Sequence, residues 1–172
     1  MCVKDDLEFA RVFLDYSRRK LLEQLWPRTC QCLEMLTEEQ IWWRPQETSN
    51  SIGNLLLHLN GNIRQWIIAP LGGGSATRNR PAEFAERRQI PLRELQDSLE
   101  VALREVDGIL GQVEPMALLQ TYDIQDRKGV TGLEAIYHVV EHFSMHYGQI
   151  LYITKLLTGH DLGFYRHLDE KK

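Results

Sequence analysis

Residues 131–159, TGLEAIYHVVEHFSMHYGQILYITKLLTG, decide the fold. Thr131, with Glu134 three positions on, makes a capping box that marks a helix start, and Gly159 is a suitable stop. Between them Leu133, Ile136, Tyr137, Val140, Phe143, Ile150, Leu151 and Ile153 recur at helical spacing, so one long helix with a buried stripe is expected. Three further stripes of this kind lie upstream. Leu7, Phe9, Ala10, Phe13, Leu14, Leu21, Leu22, Leu25 and Trp26 predict a helix from near Asp5. Pro27 interrupts it and Cys30, Leu33, Met35 and Leu36 resume it, which fits a kinked continuation and a pair of joined helices equally well. Ser49, Asn50 and Ser51 are good caps for a second long helix over about 50–69, carrying Ile52, Leu55, Leu56, Leu59, Ile63, Trp66 and Ile67. Pro91 opens a third, from Leu92 to Leu110.

The connections are short. Thr37 caps a helical turn that carries Ile41, Trp42 and Trp43 and stops at Arg44 and Pro45. Pro70 and Gly72 to Gly74, followed by Ser75, Thr77, Arg78, Asn79, Arg80 and Pro81, mark a mobile loop inside one domain. Residues 122–128 are polar and turn-like, and Thr121, Tyr122 and Ile124 make too brief a run for a strand, so an extended loop is expected. Four long helices without a second class of element predict an all-α four-helix bundle with short extra helical turns, one domain over residues 1–172.

Composition narrows the function. With 43% hydrophobic and 26% charged residues in a chain of 172, a single packed core is expected and disorder is not. Lys+Arg 20 against Asp+Glu 24 leaves a net charge of −4, which offers no pull on nucleic acid. The apolar stretch from Ile150 to Leu157 is broken by Thr154 and Lys155 and is far shorter than the roughly 20 residues of a spanning helix, so no membrane anchor is expected. Asp5, Asp6 and Glu8 stand where a secretory leader would be basic and then apolar, which points to the cytoplasm. Cys2, Cys30 and Cys32 lack metal-knuckle spacing and read as reduced thiols.

The histidines carry the chemistry. His138, His142 and His146 are spaced by four, so each step turns the side chain by only about 40° and the three share a stripe. Neighbours are about 6 Å apart along the axis and the outer two about 12 Å. An ion with Zn–N bonds of about 2.0–2.1 Å can take one adjacent pair but not all three. A further ligand must come from elsewhere, and His58, between Leu57 and Leu59 on the apolar run of the second helix, supplies it. A lone interior histidine is usually a hydrogen-bonded core residue, but facing helices of a bundle are where metal sites form, and three imidazoles leave one position open to water or substrate. Asn62, one turn after His58, shares its stripe and is the candidate contact for the cofactor or substrate, whereas Tyr147 and Gln149 fall on other faces than His146.

The other polar features carry less. His160 and His167 read as surface residues. Glu141 lies about 100° around the helix from His142, and no HExxH sequence supplies a protease-type base. Gly72 to Gly74 precede no GK[ST] and do not make a phosphate loop. Arg78, Arg80, Arg87 and Arg88, interleaved with Glu83 and Glu86, read as a solvated loop of mixed charge rather than an anion-binding lid, and Trp42, Trp43 and Trp66 as satellite core.

NSIGNLLLHLNGNIRQWI (50–67), EAIYHVVEHFSMHYGQILYITKLLTG (134–159) and the lead-in IWWRP (41–45) resemble the DinB-like superfamily, grouped with YfiT-like metal-dependent hydrolases. The specific element is one histidine on the second helix paired with HxxxHxGQ on the fourth. The resemblance implies a four-helix bundle that binds a divalent metal ion, commonly zinc or nickel, and often forms a homodimer. Carried over by position, its ligands fall on His58, His142 and His146, with His138 matching an extra histidine of some relatives and standing as the alternative ligand. Relatives of known activity include thiol-dependent S-transferases and maleylpyruvate isomerases that use low-molecular-weight thiols, while a large share has no assigned reaction, and this chain resembles that share most closely. The expected function is therefore a metal-dependent hydrolase or thiol S-transferase acting on a small-molecule substrate. Its rivals are a non-catalytic, dimerising, metal-binding stress-response protein and a bundle whose histidines are purely structural.

Overall fold

The computed structural model describes residues 3–75 and 77–166; Cys2 and His167 lie outside them. Helix α1 (Val3–Arg19) runs through a π-helical turn (Lys20–Leu25) directly into α2 (Trp26–Leu33), with helical dihedrals at Arg19, Leu25 and Trp26. The chain therefore continues through Pro27 rather than breaking there. In the π turn the Trp26 N–H reaches Leu21 O, five residues back. The wider turn shifts the carbonyl register that a proline ring would otherwise strike, and Pro27 sits in the first turn of α2. The same device recurs downstream: α4 (Ile52–Ile63) passes through a π turn (Arg64–Ile68) into α5 (Ala69–Gly72), which holds Pro70, and Gly73 at φ 71° ends the run.

Caps explain most boundaries. Thr37 with Gln40, Ser51 with Asn54, and Thr131 with Glu134 all form reciprocal capping boxes, opening α3 (Glu38–Trp42), α4 and α8 (Gly132–Thr158). Helix α7 spans Leu92–Gln112. Helix α6 (Arg80–Ala85) corrects the expectation of a loop: Asn79 accepts from the Ala82 N–H and Pro81 lies in the first turn. A 3-10 turn (Pro115–Leu119) leads into the second correction, an antiparallel pair β1 (Thr121–Ile124) and β2 (Arg127–Thr131) where an extended loop was expected. Gln125 turns the hairpin at φ 58°, and Ile124 and Val130 are the two strand side chains it buries. The described residues are thus mostly helical, with one two-stranded sheet among them.

Helix α4 packs on α7 and α8, α2 on α8, and α1 on α7. Leu21, Leu33, Leu55, Leu59, Ile63, Leu99, Leu103, Ile136, Phe143 and Ile150, from all the long helices, are buried together. Gly53 lets α3 approach α4, because a Cβ there would lie 2.7 Å from the Trp42 ring. Trp42 donates from Nε1 to Ile90 O at 3.0 Å and, like Trp66, belongs to this core. No helix among the described residues is long and apolar enough to cross a membrane.

Candidate metal centre

The α4–α8 contact brings three histidines together. His58 lies inside α4, buried among Leu55, Leu56 and Leu59, and His142 and His146 lie one turn apart on α8. Their Nε2 atoms converge: His58 to His142 is 3.1 Å and His146 to His142 is 3.2 Å. One ring nitrogen from each lies within 4.8 Å of the others.

The outer edges of two rings are tied down. Glu83 Oε2, from α6, lies 2.8 Å from His58 Nδ1, and Gln149 Oε1 lies 2.9 Å from His146 Nδ1. A carboxylate can only accept, so His58 carries its proton on Nδ1 and turns the Nε2 lone pair inward. Arg78 Nη2 is 2.9 Å from the same Nδ1, but both are donors and both are served by Glu83 Oε2, which Nη2 meets at 2.8 Å. Gln149 orients His146 in the same sense. His58 and His146 thus turn lone pairs toward His142 Nε2, which in the metal-free protein can donate a proton to one of them and, without that proton, completes a set of three nitrogens for a cation. Bonds of about 2.0–2.1 Å at a tetrahedral angle place ligand nitrogens about 3.3–3.4 Å apart, close to the two spacings made by His142. The donor set therefore fits a divalent ion. His142 Nδ1 is buried without a hydrogen-bond partner.

Electrostatics favour the ligating form. Burial, reinforced by the neighbouring His146 and His58, pushes His142 down to about 3. Burial also lowers His146, against the hydrogen bond that its Nδ1–H donates to Gln149 Oε1. Both rings are neutral near pH 7, as ligation requires. Burial alone would raise Glu83, but hydrogen bonds from Arg78 and His58 outweigh it and hold the carboxyl below its ordinary range.

A family described as protein of unknown function (DUF1572) matches residues 8–166. The chain belongs to the DUF1572 family. A crystal structure described as a conserved protein of locus from Enterococcus faecalis shares the fold with a TM-score of 0.66, at 18% identity, covering 93% of this chain and 99% of its own. No curated protein matches the sequence.

The remaining polar residues of this DUF1572 chain arrange themselves around the three histidines. His138 stays outside the cluster: its Nε2 is 3.1 Å from Asn62 Nδ2, and its ring stacks on Trp66 at 4.0 Å. Asn62 is buried against His138 rather than against the converging Nε2 atoms, and its Oδ1 has no partner. Phe84 of α6 packs its ring 4.5 Å from His58, and the Arg80 guanidinium lies over the Phe84 ring at 4.8 Å. His160 is exposed.

Three site residues escape a reading of helix periodicity alone. Glu83 and Arg78 are not solvated: their side chains are 12% and 5% exposed. The local signal for them is Asn79-Arg80-Pro81, a cap followed by a first-turn proline, which turns the supposed loop into a helix able to pack. Gln149 corrects the assignment to another face, since residues three apart on a helix do meet.

Proposed function

We propose that this DUF1572 member is a DinB-like four-helix bundle that binds a divalent cation, zinc or nickel, through Nε2 of His58, His142 and His146, and acts as a metal-dependent hydrolase or thiol S-transferase. The observation that carries the reading is the convergence of three Nε2 atoms while Glu83 and Gln149 hold the outer nitrogens of two of the rings. The four long helical stretches and the α4–α8 placement of the histidines support the bundle. When bound, the cation lowers the pKa of a coordinated water or low-molecular-weight thiol. The protein's part is to keep His58 in one tautomer through Glu83, to keep His142 neutral by burial, and to cover the His58 ring with Phe84. A reducing cytoplasm suits Cys30 and Cys32, free thiols that burial pushes up to about 11.

A non-catalytic, metal-binding role is favoured by one feature. Glu83, the carboxylate that touches the cluster, is committed to Arg78 and to the outer edge of His58, where it cannot take a proton from a group on the Nε2 side. Exposed Phe9, Val12 and Tyr16 on α1, with Tyr152 and Leu156 on α8, support the homodimer. Elemental analysis of untreated protein tests the metal reading: stoichiometric zinc or nickel is expected in the wild type and none in His142→Ala, and unchanged metal in that variant overturns it. Cobalt-substituted protein separates the two roles, because a spectrum perturbed by added thiol requires an exchangeable position. Sedimentation velocity of the wild type and Tyr152→Glu tests the dimer.

A further inference from the structure

Gly61 stands one turn after His58 on α4, at the place where Arg78 and Glu83 cross that helix. A Cβ built on Gly61 would overlap Glu83 Oε1, lie 2.8 Å from Arg78 Nε and lie 3.0 Å from Glu83 Cδ. The ion pair therefore occupies the volume that any side chain at this position would fill. Glycine is a poor helix residue, so its presence within α4 runs against local propensity. What it permits is a buried, two-pronged pair, Arg78 Nε to Glu83 Oε1 at 2.7 Å and Nη2 to Oε2 at 2.8 Å, lying flat against the backbone beside His58. The pair is anchored from its far side as well. Arg78 Nη1 donates to Gln65 Oε1 at 2.9 Å, and that oxygen also accepts from Gln125 Nε2 at 2.7 Å. Gln125 is the non-glycine residue with positive φ at the hairpin turn. One line of hydrogen bonds thus runs from the hairpin through the π turn and the Arg78–Glu83 pair to His58 Nδ1.

We propose that Gly61 is a positioning residue of the metal site: lacking a side chain, it lets Arg78 and Glu83 lie on α4 so that Glu83 holds His58 in the Nδ1–H tautomer with Nε2 facing His142 and His146. This deepens the metal reading above and rests on it for its effect on affinity, though not for its effect on the His58 ring. In Gly61→Ala the new methyl displaces Glu83, and His58 loses its acceptor. In Glu83→Ala the acceptor is removed while Gly61 remains. Both changes act on one contact, so their effects must not add.

The test has two readouts. Cobalt(II) affinity, measured by competition with a chelator, is expected to fall about tenfold or more in Gly61→Ala and in Glu83→Ala, and the double variant to bind no more weakly than Glu83→Ala alone. Affinity equal to wild type in Gly61→Ala, or losses that multiply in the double variant, overturns the proposal. Long-range 15N–1H correlation spectra of the metal-free proteins report the tautomer directly: Nδ1–H for His58 in the wild type, lost in both variants. An unchanged tautomer in either overturns it too. A wild type that binds no cobalt or zinc defeats the metal reading by itself, and the spectra still decide the role of Gly61. Should Gly61→Ala fail to fold, Glu83→Ala and the double variant, in which the carboxylate no longer contests the space, retain both readouts.

Discussion

Glu83 Oε2 stands 2.8 Å from His58 Nδ1, bridging 25 residues of sequence and joining a short helix on the surface of α4 to the one histidine of the cluster that α8 does not supply. Glu83 keeps its charge there because Arg78 faces it, and the two are nearly withdrawn from water. Removing one partner of such a pair strands the other. Arg78→Leu is expected to destabilise the protein by about 3 kcal/mol in urea unfolding, and adding Glu83→Gln should recover part of that loss. A neutral Arg78→Leu single variant would mean that the pair is solvated.

The proposed metal ligands separate cleanly from their neighbour in the histidine row. His58→Ala and His142→Ala are each expected to abolish stoichiometric metal, because two remaining imidazoles make a poor site. His138→Ala should retain it, since His138 Nε2 is turned to Asn62 and its ring is stacked on Trp66. Elemental analysis of the three purified variants checks this, and metal lost from His138→Ala alone would move the site one turn up α8.

Much of this arrangement is legible in the sequence, and what is not legible is long-range. The long helices announce themselves through cap residues at Ser49 to Ser51, the capping box at Thr131 and stripes such as Leu55, Leu59 and Ile63, which depend only on neighbours within two turns. The His142–His146 pair is legible for the same reason. Pro27 leaves two readings open because its tolerance depends on the π turn before it, which no local propensity announces. The hairpin is hidden because Ile124 and Val130 are the strand side chains that reach the core, so no run of alternation forms. Glu83 is the hardest case. Its role arises where α6 lies down on α4 over Gly61, a contact between segments whose charges look solvated when taken in order along the chain.

Core and site should respond independently. Leu103 is wholly buried on α7, a helix that contributes no histidine to the cluster. Leu103→Ala is expected to cost about 2–5 kcal/mol of stability while leaving metal content at the wild-type value. Loss of metal from a variant that is still folded at the assay temperature would show that the cluster depends on packing well beyond its own helices.

Acid should weaken the metal-free protein before any carboxylate titrates. Burial holds His142, His146 and His138 below the ordinary histidine value, His142 to about 3, so the unfolded chain binds more protons than the folded one once the pH drops below about 6.5. Stability contributed by these neutral rings is complete above about 6.5 and declines as the pH falls from there toward about 3. The urea midpoint of metal-free protein should therefore decrease steadily between about pH 6.5 and 4, and His142→Ala should flatten the slope. In the metal-loaded protein protons compete with the cation for the same nitrogens, so release should accompany the same descent. Metal fully retained at pH 4 would show that imidazole nitrogens do not hold the ion, and a metal-free midpoint indifferent to pH across this window would show that folding does not hold these rings neutral.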